Sequence, residues 1–292
     1  MRVLGFDVGF GHTKIFSDGI KEKFPTQIAY APQDQSVELE KVNVAGTEYV
    51  IGRDAKYSQF RIEIPSAVEL IRYAPIILRY VYVKCGEFEK VVTGLPPNCR
   101  GYVQSLIESI KSVTNADIMV LPQGVGILYD VAEKVADEAV IIDIGYNTVD
   151  CIVAEKVNDT WKKKIARTLE NFGTMKAVEL MRDVLPGSFS MLKNWSASRL
   201  LETFEKGFLH IDGERVDVTP YKKEATVRYS EVLLSKIRQE LKDSYRDIAS
   251  VVVAGGGAYC IDRKQFGSNV LIPEEPEFSQ ARGYYRAGTN DN

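Results

Sequence analysis

Residues 140–156, VIIDIGYNTVDCIVAEK, set an apolar run against a polar turn and then begin a second apolar run. β-branched residues on both sides mark two strands, and the turn between them opens at Asp143-x-Gly145, where glycine permits a tight bend. The stretch reads as a β-hairpin with one carboxylate at its tip. Asp and Gly are favoured turn residues anywhere, so one such tip alone says little. The question is whether a strand as oily as Val140-Ile141-Ile142 delivers that charge to a purpose.

The chain repeats the pattern. Residues 4–16, LGFDVGFGHTKIF, place Asp7-Val8-Gly9-Phe10 against Asp143-Ile144-Gly145-Tyr146 and Lys14 against Asp150, at a constant offset of 136. Each copy is followed by further strand and helix signals. In the first half KVVTGLP (90–96) is a strand, GYVQSLIESIK gathers Val103, Leu106, Ile107 and Ile110 on one helical face, and DIMVLP (117–122) is a second strand. GVGILYDVAEKVA then predicts a helix with Leu128, Val131, Ala132 and Val135 on one stripe. In the second half NFGTMKAVELMRDVL is helical, SASRLLETFEKG runs from an N-cap at Ser196 to a C-cap at Gly207, and SEVLLSKIRQELKDSYRDI is a long amphipathic helix. SVVVAGGGAY breaks from a strand into Gly255, Gly256 and Gly257. Strand–helix alternation implies a parallel component in each sheet and hence an α/β fold. The span 20–60 reads as a small strand-rich insertion.

Composition removes several function classes. Forty-five per cent hydrophobic and 26% charged residues are ordinary for a packed protein. Thirty-seven basic against forty acidic side chains, net −3, signal no general nucleic-acid or membrane surface. The four cysteines form no C-x-x-C pair, so a zinc ribbon or disulfide framework is not expected, and they read, with the methionines, as core. Asp7 interrupts the N-terminal apolar run too early for a signal peptide, and Arg79 breaks APIILRYVYV, the longest candidate span. A cytoplasmic location is expected. With His12 and His210 as the only histidines, chemistry should run on carboxylates, amides and backbone.

Two Asp-x-Gly tips and a triple glycine suit a nucleotide phosphate, because glycine lets backbone N–H groups approach phosphate oxygens. Two facing carboxylates need a cation between them, and Mg²⁺ usually keeps its waters. At this point the order of motifs resembles the actin-type ATPase superfamily, which includes actin, sugar kinases and the 70-kDa heat-shock chaperones. VVTGLPPNC, LPQGVG and FSQARGYYRAG are most similar to ParM/StbA-type and archaeal actin-like proteins. The resemblance covers nearly the whole chain.

It implies two duplicated ribonuclease-H-like (actin-like) lobes with a nucleotide cleft between them. Residues 1–136, with a small insertion at about 20–75 and a C-terminal helix at 275–292, would form the first lobe, and 137–274 the second. Asp7, Gly9, Gly11 and Thr13 would make the first phosphate loop, with Lys14 reaching a phosphate. Asp143, Gly145, Asn147 and Thr148 would make the second, and Asp7 and Asp143 would bind Mg²⁺ through water. Gln123 matches the position that orients the attacking water. Gly255, Gly256 and Gly257 would line adenine and ribose, while Gly173 and Glu202, Glu205 or Lys206 would touch ribose or base. The implied function is ATP (or GTP) hydrolysis controlling self-association into cytoskeletal filaments, with plasmid segregation or cell organisation as the task, an adaptor protein as a further partner, and no direct nucleic-acid or membrane binding. The alternatives are a small-molecule kinase on the same scaffold and a weakly hydrolysing nucleotide-binding scaffold.

Overall fold

The structure is a computed structural model that describes residues 1–32, 38–158 and 160–290. Residues 33–37 of the predicted insertion and 291–292 of the predicted terminal helix lie outside the described residues. The chain divides into two compact units, Met1–Glu133 with Phe278–Asn292, and Lys134–Glu277.

In the first unit, β1 (Val3–Val8), β2 (His12–Ser17) and β3 (Ile20–Pro25) form an antiparallel meander. Next come β4 (Ile28–Tyr30), β5 (Lys41–Val44), β6 (Thr47–Ile51) and β7 (Arg61–Ile62), which make a separate sheet ordered β5-β6-β4-β7. Helix α1 (Ala67–Cys85), β8 (Lys90–Leu95), α2 (Val103–Lys111), β9 (Asp117–Pro122) and α3 (Val125–Val131) follow. The main sheet runs β3-β2-β1-β8-β9, with β8 parallel to β1 and β9 parallel to β8.

The second unit builds the same sheet again. Strands β10 (Glu138–Ile144), β11 (Thr148–Val157) and β12 (Thr160–Glu170) form the meander, and β15 (Ser250–Ala254) and β16 (Val270–Leu271) add in parallel, giving β12-β11-β10-β15-β16. Between them lie α4 (Thr174–Val184), α5 (Ala197–Lys206), the hairpin β13 (Phe208–Ile211) and β14 (Glu214–Asp217), and α6 (Thr219–Leu241). The register repeats as well: Asp7 stands opposite Lys14 and Asp143 opposite Asp150. Each central strand, β1 and β10, is apolar nearly throughout because it is covered on both faces.

The caps at Ser196 and Gly207 form as expected. The Ser196 side chain accepts from the Arg199 N–H, and Gly207 takes a left-handed φ of 73°. Other elements differ from the sequence reading. Helix α1 stands where the sequence shows only a broken apolar run, and its Tyr80 and Tyr82 are buried in one core cluster with Ile28, Val42 and Ile51 of the small sheet. Pro75 inside it removes a backbone donor and argues against a helix locally, but burial of Ile71, Ile77, Leu78 and Val81 prevails. The strand-rich insertion spans 28–62, because β3 zips onto β2 and places Phe24 edge-on against Tyr80. Helix α6 begins at Thr219, eleven residues before the predicted start, with a proline in its first turn. Met1 and Met191 are exposed, so not every methionine is core. Cys99, Cys151 and Cys260 are buried, Cys85 partly so, and all four thiols are free.

Helix α3 ends at Val131, short of the predicted Val135. The Asp130 carbonyl, which a longer helix would offer to an N–H four residues on, accepts instead from the Arg286 guanidinium at 2.6 Å. That arginine lies on the C-terminal helix, Ser279–Asn290, which begins later than the expected 275. The buried Asp130 carboxylate takes two 2.6 Å bonds from Arg282 and one of 2.7 Å from the Ser279 hydroxyl. The helix then lies backbone to backbone on its neighbours. A Cβ on Gly283 would sit 1.6 Å from the Gly126 carbonyl oxygen, and one on Gly5 would sit 1.9 Å from that of Ala281. Among the described residues no helix is long and apolar enough to cross a membrane.

Candidate functional site

In the first unit the β1–β2 hairpin closes through the Gly9 N–H, which donates to the His12 carbonyl at 3.2 Å. Asp7 is buried at the end of β1, and the Lys14 ammonium across the hairpin donates to its Oδ2 at 3.1 Å. Lys14 therefore stands beside the first carboxylate, as the register dictates. The Thr13 hydroxyl shares a 2.9 Å bond with Thr26 in the interior, and the Gly11 carbonyl accepts the Thr26 N–H at 3.1 Å. Thr26, absent from the sequence reading, anchors the loop; nothing local in the sequence marks it. Gln123 sits in the turn between β9 and α3, its N–H donating to the Leu95 carbonyl at 2.8 Å.

In the second unit the Gly145 N–H donates to the Thr148 carbonyl at 2.9 Å, closing the β10–β11 hairpin in the same way. The loop carbonyls cap α4: those of Asn147, Gly145 and Tyr146 accept the N–H groups of Gly173, Thr174 and Met175 at 3.0, 2.9 and 3.1 Å. The Thr174 hydroxyl adds a bond to the Gly145 carbonyl at 3.1 Å. Thr174 was missed as a loop partner, although a threonine after glycine at a helix start could have flagged it. Gly255 (φ +81°) faces Asp143, and a Cβ there would lie 2.3 Å from the Asp143 Oδ1. Gly257 packs on Ile144 and Thr174, whereas Gly256 opens to space. Two of the three glycines are thus needed to seat the Asp143 turn. Glu202 and Lys206 pair with each other on the exposed face of α5, and the Glu205 carbonyl accepts from Lys222 at 3.2 Å.

Both hairpin tips keep donors. Among the described residues, the N–H groups of Phe10 and Gly11, and those of Tyr146 and Asn147, have no hydrogen-bond partner. Successive unpartnered N–H groups in a tight turn are the kind of donors that can make an anion-binding concavity. No group of three or more His, Cys, Asp and Glu among the described residues is placed to hold a metal. A direct protein cage is therefore not built. A divalent ion carried mainly by phosphates and waters fits this donor set.

The copies differ in charge. In the first unit Asp7 is met by a cation, whereas Asp143 is met across the hairpin by Asp150. Burial raises the Asp150 carboxyl above the usual carboxylate range, the Thr168 hydroxyl donating at 2.5 Å opposes this, and the Glu170 charge adds to it. His12, at the start of β2, is lowered to about 4 by burial first and then by the charges of Lys23, Lys14 and Arg53. Its neutral form is favoured in the fold, so it stabilises the protein above pH 6.5 and that contribution is lost as pH falls through about 4. An NMR titration should show the His12 ring staying neutral at pH 5.5. Protonation of His12 near pH 6.5 would contradict the cationic surroundings described.

Residues 5–126 match the family described as actin like proteins N terminal domain, and residues 141–265 match archaeal actin homologue MreB-like, C-terminal. No curated protein sequence matches the chain. Among solved structures it is similar to a pCBH ParM non-polymerisable quadruple mutant, with a TM-score of 0.76 and 19% identity over 99% of both chains. It is similar also to ParM in a 15-stranded filament from Clostridium botulinum, with a TM-score of 0.75 and 18% identity over 99% of both chains. The archaeal actin homologue Ta0583 in complex with ADP gives 0.72 and 17% identity, covering 99% of this chain and 100% of that one. At these identities the likeness concerns the fold.

Proposed function

We propose that this chain, which belongs to the actin-like ATPase superfamily in its ParM and archaeal actin branch, hydrolyses a nucleoside triphosphate and uses the nucleotide state to control its assembly into cytoplasmic filaments. The observation that carries the reading is the repeated hairpin: the same sheet order, the same register, and at each tip one carboxylate beside two unpartnered N–H groups. In this reading both tips act on one triphosphate. The N–H groups of Phe10, Gly11, Tyr146 and Asn147 hold phosphate oxygens, and the Lys14 ammonium, already beside Asp7, neutralises part of the developing charge. Magnesium, when bound, would offset phosphate charge, with Asp7 and Asp143 holding its waters. Gln123 orients the attacking water. Gly255 to Gly257, Gly173 and the α5 side chains Glu202, Glu205 and Lys206 are the candidates for base and ribose contact. ADP bound to the archaeal homologue and the filament form of a ParM relative agree with both halves of the reading.

A kinase would need a carboxylate near the transferred phosphate to take a substrate proton. The first carboxylate after Gln123 in the chain, Asp130, is engaged by Arg282 and Ser279. The hydrolase is therefore favoured.

The test is sedimentation with ATP and GTP side by side, with phosphate release followed in the same samples. Triphosphate-dependent pelleting, then disassembly as phosphate appears, is expected; a Gln123→Ala chain should still pellet while releasing phosphate at least about tenfold more slowly. A chain that binds nucleotide yet stays monomeric at high concentration would remove the filament half. Turnover that rises sharply on adding a sugar or small acid would favour the kinase.

A further inference from the structure

The turn that carries Gln123 is held from two sides. From the sheet, the Leu95 carbonyl accepts the Gln123 N–H at 2.8 Å. From the C-terminal helix, the Gln280 Oε1 accepts the next N–H, that of Gly124, at 3.1 Å. Gly124 has φ +84°, a conformation that favours glycine, and stands as the cap residue between β9 and α3. Gln280 is only 4% exposed. The orientation of its amide is set by chemistry, since a backbone N–H can be met only by the oxygen, and its Nε2 donates to the hydroxyl of fully buried Tyr284 one turn on. That hydroxyl lies over Gly94 in β8, where a Cβ would be 1.8 Å from it, and the Tyr284 ring covers Gly126. The Asp130–Arg282 pair and the Gly126–Gly283 contact stop the helix from sliding.

We propose that Gln280 is a positioning residue for the hydrolytic step: it fixes the Gly124 N–H and through it the backbone from which Gln123 reaches the attacking water. The proposal rests on the role given to Gln123 above. A catalytic amide must be held to a fraction of an ångström by a shell whose own rotamers are locked, and Gln280 is locked at both ends. An apolar side chain of similar size in its place would leave the Gly124 N–H buried and unpartnered, and the turn would move to find another acceptor.

Steady-state turnover of Mg-ATP by the full chain tests this with Gln280→Leu, Gln280→Glu, Gln123→Ala and the double variant. The Gln280→Leu chain should lose roughly 10- to 100-fold in kcat, as misplacements of about an ångström do, with KM within about threefold of the original. Gln280→Glu, which keeps an acceptor for Gly124, should recover most of that loss. The double variant should be no slower than Gln123→Ala alone, because the two groups act through one. Unchanged kcat in Gln280→Leu beside a slow Gln123→Ala overturns the proposal, as do additive losses in the double variant. Unchanged kcat in Gln123→Ala overturns instead the role of Gln123 itself. If Gln280→Leu does not fold, Tyr284→Phe decides: it removes the hydroxyl that orients the amide, and should lower kcat about tenfold at unchanged KM, whereas an unaltered kcat would reject the idea.

Discussion

Replacing Gly283 with alanine is expected to cost about 3–5 kcal/mol of unfolding free energy, a large part of what a domain has. The added Cβ would lie 1.6 Å from the Gly126 carbonyl oxygen and 3.1 Å from the Asp130 nitrogen, so the obstacle is backbone on a neighbouring helix, not a side chain that can rotate aside. Relief requires the C-terminal helix to lift from α3. Lifting it would also stretch the Arg282 and Arg286 bonds to Asp130, leaving that carboxylate buried without its partners. Urea unfolding of the two chains measures the difference. Gly187→Ala is the control: nothing lies within 4 Å of its Cβ position, and a change within about 0.5 kcal/mol is expected. A Gly283→Ala chain as stable as the control would mean that the two helices do not meet backbone to backbone.

The second large effect concerns turnover. Asp143→Ala is expected to lower ATP hydrolysis by at least about 100-fold, the scale of losing one electrostatic group from a phosphoryl-transfer site. Folding should survive, because the hairpin is closed by the Gly145–Thr148 backbone bond and the α4 cap, none of which uses the carboxylate. Nucleotide binding and phosphate release must be measured separately. Loss of magnesium-dependent turnover with binding retained fits a carboxylate that organises the metal's waters. If turnover stays within threefold of the original, the acidic tips are turn residues and nothing more.

The Asp-x-Gly tips were legible because a strand pattern of period two reads directly into register: once Asp7 and Asp143 end apolar strands at matched positions, Lys14 and Asp150 must stand across from them. Gln123 was placed correctly at a strand-to-helix junction because proline and glycine bracket it in LPQGVG. Capping chemistry located the ends of α5 for a similarly local reason. Helix α1 was hidden for the opposite reason. Pro75 weakens the local preference, and only packing under the sheet outweighs it. Helix α6 began early because its first half is charged outside and contributes to the core mainly through Ala225 and Tyr229.

By itself, then, the sequence determined the duplicated α/β hairpins, their acidic tips and the junction that holds Gln123, all features of neighbours along the chain whose geometry follows from strand period and turn chemistry. Tertiary structure alone decided where the C-terminal helix lies. FSQARGYYRAG names its glycines, arginines and Gln280, but their partners Gly5, Gly94, Gly126, Gly124 and Asp130 are more than 145 residues away in the chain. A contact between backbones leaves no pattern in either segment beyond the lack of a side chain, so it becomes visible only when both are brought together.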